Sequence, residues 1–176
     1  KPLNNKLLRI VHESDELSDA IYDLSTTPFM DKLLTKTQRK NGTDRDLIIQ
    51  TLMLISTNQT DDFTSFRTND MDSFVINHGD VALEKVDALK AALTSLNKVF
   101  EDEVKIPVTS IPMILYGAYR ITKDKKSFSA FVEKVKEFLN GYDSNEVYKQ
   151  FVQSGTGSKE NVRGRFDYWR ELIRNI

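Results

Sequence analysis

The sequence predicts an all-α fold, a compact domain of about eight helices around a central apolar one. Three observations carry this. Apolar residues recur at helical spacing in one stretch after another, with no pair of alternating segments that would read as strands. Only seven Gly and four Pro occur in 176 residues, which suits helices joined by short connections. The third is Thr43–Ser56, TDRDLIIQTLMLIS, where every residue from Leu47 to Ile55 is apolar except Gln50 and Thr51. A helix apolar on nearly every face has to be packed on most sides, so it is expected at the centre. Thr43 and Asp46 have the spacing of a capping box at its start.

The other elements follow in chain order. Asn5–Ser25 shows a helical period in two pieces, Leu7, Leu8 and Val11, then Leu17, Ala20, Ile21 and Leu24. Ser14 is placed to cap the second piece, with Asp15 and Glu16 in its first turn. Thr27-Pro28 starts a helix that turns Phe29, Met30, Leu33 and Leu34 inward and ends at Asn41-Gly42. Thr57–Arg67 is polar and reads as a connection. Thr68 is expected to cap a short helix ending at Gly79. Asp80 is expected to cap a helix of about 20 residues with Ala82, Val86, Leu89, Leu93, Leu96 and Phe100 along one seam.

Beyond it, Glu101, Asp102 and Glu103 oppose the helix dipole and favour a stop. Lys105–Pro107 reads as briefly extended. Thr109 or Ser110 caps a second apolar helix, Ile111–Ile121, in which Gly117 predicts a close approach by a neighbouring helix. Phe128, Phe131, Val132, Val135, Phe138 and Leu139 mark an amphipathic helix ended by Asn140-Gly141. A short helix over Asn145–Val152, the loop Ser154–Ser158 and a final helix from about Lys159 complete the chain. That helix carries Val162, Phe166, Trp169, Ile173 and Ile176 on one face.

Composition narrows the function classes. Residues 1–176 fit a single helical domain, and the start at Lys1 without Met is expected of a fragment of a longer protein. A net charge of −1 gives no overall attraction to nucleic acid or an acidic membrane, so either would need a local patch. With no cysteine there is no thiol chemistry and no thiolate metal site. No apolar run reaches the roughly 20 residues needed to cross a bilayer. No signal peptide is visible, so the default location is cytoplasmic and no membrane partner is expected.

Catalytic patterns are not found. His12 and His78, the only histidines, lack a second ligand at metal spacing. Asp61, Asp62, Asp70 and Asp72 lack the Gly and Glu positions of a calcium-binding hand and read as solvated turn acids. No serine sits in a nucleophile elbow. No cofactor is called for, and the chain alone is expected to be non-catalytic. The strongest anion candidate is the loop Ser154-Gly155-Thr156-Gly157-Ser158-Lys159, with Arg163 and Arg165 nearby. Small residues before a helix can offer N–H groups to a phosphate, although the order is not that of a Walker loop. A plain connection capped by Ser158 accounts for the same residues.

Two basic faces are candidates for nucleic acid. One is Lys32, Lys36, Arg39 and Lys40; the other is Arg163, Arg170 and Arg174, with Asp167 at ion-pairing distance in sequence from both Arg163 and Arg170. Solvated faces are the alternative reading of both.

Several segments, in order, resemble one family. Lys1-Pro2-Leu3-Asn4 resembles the end of an N-S-G-K-P-L-[ST/N] segment, and Thr27-Pro28-Phe29-Met30 resembles an "hPFF" step. Asp44–Ser56 resembles a D-x-x-x-[IL]-[LI]-Q-x-L-M-L-I helix, and Gly155–Arg165 a late G-T-x-S-x-x-x-V-x-x-R segment. These belong to ParB-like restriction-system proteins of the GmrSD-type group. The resemblance implies a helical region downstream of a ParB-like nuclease or NTPase domain, in a protein directed against foreign DNA. The family's D-G-Q-Q-R signature does not occur in this sequence, so no catalytic residue is carried over. The implied partners are the N-terminal domain of the same protein and, beyond it, DNA or a partner subunit. An independent protein-interaction module and a direct nucleic-acid-binding domain are the alternatives.

Overall fold

Ser14 opens the first described helix as the sequence predicts. Its hydroxyl accepts the Leu17 N–H at 3.2 Å, and helix α1 runs over Asp15–Ser25. The computed structural model describes residues 14–57, 65–100 and 104–176. The expected helix piece at Leu7–Val11, the acids 101–103, and His12, Asp61 and Asp62 lie outside the described residues. Among the described residues the fold is all-helical, with ten α-helices, two short 3-10 turns and no strand.

Two predicted helices are broken, for local reasons, and only the first break adds a helix, since the segment from Asp80 to Leu83 joins the helix before it. The Thr27–Lys40 helix divides into α2 (Pro28–Leu33) and α3 (Lys36–Lys40). Leu34 turns extended at φ −127° and ψ 140°, which lets it drop into the core. Thr35 and Gln38 then form a capping box, a T-x-x-Q signal that the apolar period concealed. The long helix expected from Asp80 divides as well. Helix α5 (Thr68–Leu83) starts one residue after Arg67, kinks at His78 and continues past Gly79. A side chain at 79 would lie 3.2 Å from Leu17 Cδ2, so the glycine lets α5 pass close over α1 where a helix end was expected. The chain turns at Glu84-Lys85 into α6 (Val86–Val99).

Helix α4 covers Thr43–Ser56, and its predicted capping box does not form. Gly42, left-handed at φ 73°, ends α3 and is itself the cap residue of α4. Two residues separate the helices, and that leaves Thr43 no room for the extended backbone a side-chain cap requires. Leu47, Ile48, Ile49, Leu52, Met53 and Leu54 are buried, and the Thr51 hydroxyl donates to the Leu47 carbonyl at 2.7 Å.

The central place is shared. Helix α7 (Ile111–Lys123) is buried at every residue from Ile111 to Tyr119 and packs against α4, α6, α8 (Phe128–Asn140) and α10 (Lys159–Arg174). Gly117 allows this: a Cβ there would fall 2.7 Å from the Phe131 ring, so α8 lies against bare backbone. Ser110 precedes α7 without capping it. Its hydroxyl accepts a 3.0 Å hydrogen bond from the buried Tyr148 hydroxyl, on the short helix α9 (Glu146–Lys149). Phe138 of α8 gathers Tyr142, Tyr148, Tyr168 and Trp169 around its ring at centroid distances of 4.9–6.0 Å. This aromatic core joins α8, α9 and α10.

Candidate anion-binding surface

The loop 154–158 closes on itself. The Ser158 hydroxyl accepts the Asn161 N–H at 3.3 Å, as an N-cap does, and the Ser158 N–H donates to the Gly155 carbonyl at 2.8 Å. Asn161 Nδ2 donates to the carbonyls of Ser154 and Gly155 at 2.8 and 3.0 Å. A phosphate cradle needs N–H groups turned outward, and here the Ser158 and Asn161 N–H groups are already engaged.

Arg165 sits beneath this loop, 1% exposed. Nη1 donates to the Phe151 carbonyl at 2.7 Å and Nη2 to the Thr156 carbonyl at 2.8 Å, so the guanidinium fastens the approach to α10 from inside. Burial lowers its pKa, with Tyr148 and Tyr142 acting in the opposite sense. Arg165 was expected among the anion contacts, and the structure takes it off that surface. Gly164 beside it is required by packing, since a Cβ there would run into the Phe151 ring.

The remaining cations of α10 stay outside. Lys159, Arg163, Arg170 and Arg174, with Asp167 among them, are spaced 4, 4, 3 and 4 along one helical stripe. Asp167 lies 3.8 Å from Arg163 and 3.4 Å from Arg170, and Glu171 lies 2.6 Å from Arg174. The Arg170 guanidinium stands 5.5 Å from the Phe166 ring centroid, which steadies it.

The end of α7 adjoins this stripe. The Tyr116 ring of α7 packs edge-on against Phe166 of α10 with centroids 4.8 Å apart, and burial raises its pKa while the charges of Arg120 and Arg170 act to lower it. Lys126, just past α7, donates from Nζ to the Ile173 carbonyl at 3.3 Å near the end of α10. Sequence reasoning found the α10 arginines by their spacing. It missed Arg120 and the cations of the turn after α7, because only the packing of α7 on α10 brings that end of the helix, through Lys126, against the stripe.

The earlier basic cluster is dispersed. Lys32 donates to the Phe100 carbonyl at 2.7 Å, closing the end of α6. Arg39 is paired with Asp31, and Lys36 is exposed at the start of α3. His78 sits at the kink of α5 with its ring 6.0 Å from that of Phe74, and Asp70 is bonded by the Ser65 hydroxyl. No group of three or more His, Asp or Glu among the described residues is arranged to hold a metal ion.

One cleft of about 370 Å³ lies between α8 and α10. Its wall is formed by Lys134, Glu137, Phe138, Asn145, Tyr168 and Leu172. Asn145 Nδ2 donates to the Tyr168 hydroxyl at 2.9 Å, and Lys134 pairs with Glu137 at 2.7 Å. No helix of the described residues is long and apolar enough to cross a membrane. A scan of protein-family models and searches of curated proteins and of solved structures find no match to this chain.

Proposed function

We propose that this chain is a non-catalytic helical accessory domain of a ParB-like, DNA-directed restriction protein, working by packing on a partner domain. One observation carries the reading: the three segments resembling the family that lie among the described residues fall on scaffolding. Thr27-Pro28 opens α2, Asp44–Ser56 forms nearly all of α4, and the late segment Gly155–Arg165 is the loop that Arg165 fastens from below. Residues so placed hold a fold together: Gln50 and Thr51 of α4 and Arg165 of the late segment bond within the chain itself.

The reading frame that encodes the chain tests the family part. A D-G-Q-Q-R-type domain is expected ahead of Lys1, and its absence there and in the neighbouring gene would overturn it. The purified chain is expected to hydrolyse neither DNA nor nucleoside triphosphate, and to co-purify with the ParB-like domain when the two are expressed separately. Hydrolysis by the chain alone would remove the non-catalytic part.

A further inference from the structure

A net charge of −1 conceals a strong segregation of charge. Helices α1 and α5, which touch, carry Asp15, Glu16, Asp19, Asp23, Asp70, Asp72 and Asp80 with no Lys or Arg on either. The outer face of α10 and the end of α7 carry the reverse. Eight cations (Lys159, Arg163, Arg170, Arg174, Arg120, Lys123, Lys125 and Lys126) face four acids (Glu160, Asp167, Glu171 and Asp124), a local excess of four positive charges.

We infer that this α7–α10 face binds the phosphate backbone of nucleic acid. From Lys159 to Arg174 the stripe extends about 22 Å at the rise of a helix, a span that reaches several successive phosphates of a duplex. The intrahelical ion pairs do not prevent this. Exposed pairs of this kind stabilise by only about 0.2–1 kcal/mol, so a phosphate can displace the carboxylate. The Arg170–Phe166 contact and the Lys126–Ile173 bond hold two of the cations in place before binding. A lipid headgroup offers similar charge, but helices that lie on membranes also present apolar side chains to insert. Among the described residues the exposed large apolar ones are Tyr22, Ile76, Val81, Val99, Val108 and Val147, none of them on this face.

The inference stands on surface charge and is independent of the ParB-like reading. The test is fluorescence anisotropy with a labelled mixed-sequence DNA duplex of about 20 base pairs, titrated at several salt concentrations. Contact with about four phosphates gives a log–log salt slope near −3.6, a weakening on the order of a hundredfold between 50 and 200 mM salt. The double reversal Arg170→Glu and Arg174→Glu should abolish measurable binding while leaving the helical circular dichroism unchanged; Lys36→Glu, on the other basic cluster, should bind like the unaltered chain. Asp167→Asn should bind several-fold more tightly, because it removes the carboxylate competing for Arg163 and Arg170. No binding at low salt, a flat salt response, or equal binding by the double reversal would overturn the inference. So would equally tight binding to anionic phospholipid vesicles. Each of these leaves the reading-frame test of the accessory-domain proposal untouched.

Discussion

Helix α10 has two faces, and the same residue type serves opposite ends on them. On the inner face Arg165 is 1% exposed and bonded to two carbonyls, among Val162, Phe166, Trp169 and Ile173. Five residues on, Arg170 stands outside against the edge of that core, with Asp167 as its partner. A desolvated guanidinium with both ends bonded is part of the scaffold, because losing it strands its partners without water. A guanidinium on the outer face stays hydrated and can exchange partners at little cost. Motif spacing treats the two alike; burial separates them.

This contrast can be tested from its largest expected effect downward. Trp169→Ala removes a ring packed at 4.9 Å from Phe138 and 6.4 Å from Phe131, and leaves a cavity where α8 meets α10. It should destabilise the fold by about 3–5 kcal/mol, read from denaturant unfolding at constant slope. Arg165→Ala leaves the Phe151 and Thr156 carbonyls without their donors and should cost roughly 2–4 kcal/mol. The same variant should speed proteolysis within residues 150–157, because the bonds holding that loop are lost. On the outer face, Arg174→Ala removes a side chain that is 73% exposed and should change stability by less than about 0.5 kcal/mol. A cost for Arg174→Ala comparable to that of Arg165→Ala would erase the distinction between the faces.

Much of the helical framework was legible in the residues. Thr43–Ser56 appears with the predicted bounds because a continuous apolar run has few alternatives to burial in a helix. Gly117 announced the close approach that Phe131 makes, and Ser158 its cap. The misjudged points share one physical form. At Leu34, Gly42 and Gly79 the apolar or capping pattern was read along the chain, while the outcome was set by what lay across from it. Leu34 found space in the core, Gly42 served two helices at once, and Gly79 let α5 ride over Leu17.

The candidate surface was legible only in half. The stripe on α10 is periodic within one helix, so its spacing shows in the sequence. Arg120 and Lys123–Lys126 belong to another helix and its turn, well before Lys159 in the chain, and no local rule joins them to the stripe.

Periodicity along the chain was enough to place helices throughout the described residues, to put Thr43–Ser56 inside, and to align the residues of one α10 face. Those properties depend on periodicity and side-chain chemistry within a few turns. Packing across the fold made α7 share the centre with α4, turned Arg165 into a bolt inside the loop, and set the end of α7 beside the α10 stripe. Burial and charge summation are set by neighbours distant in sequence, and they exist only once the helices have packed.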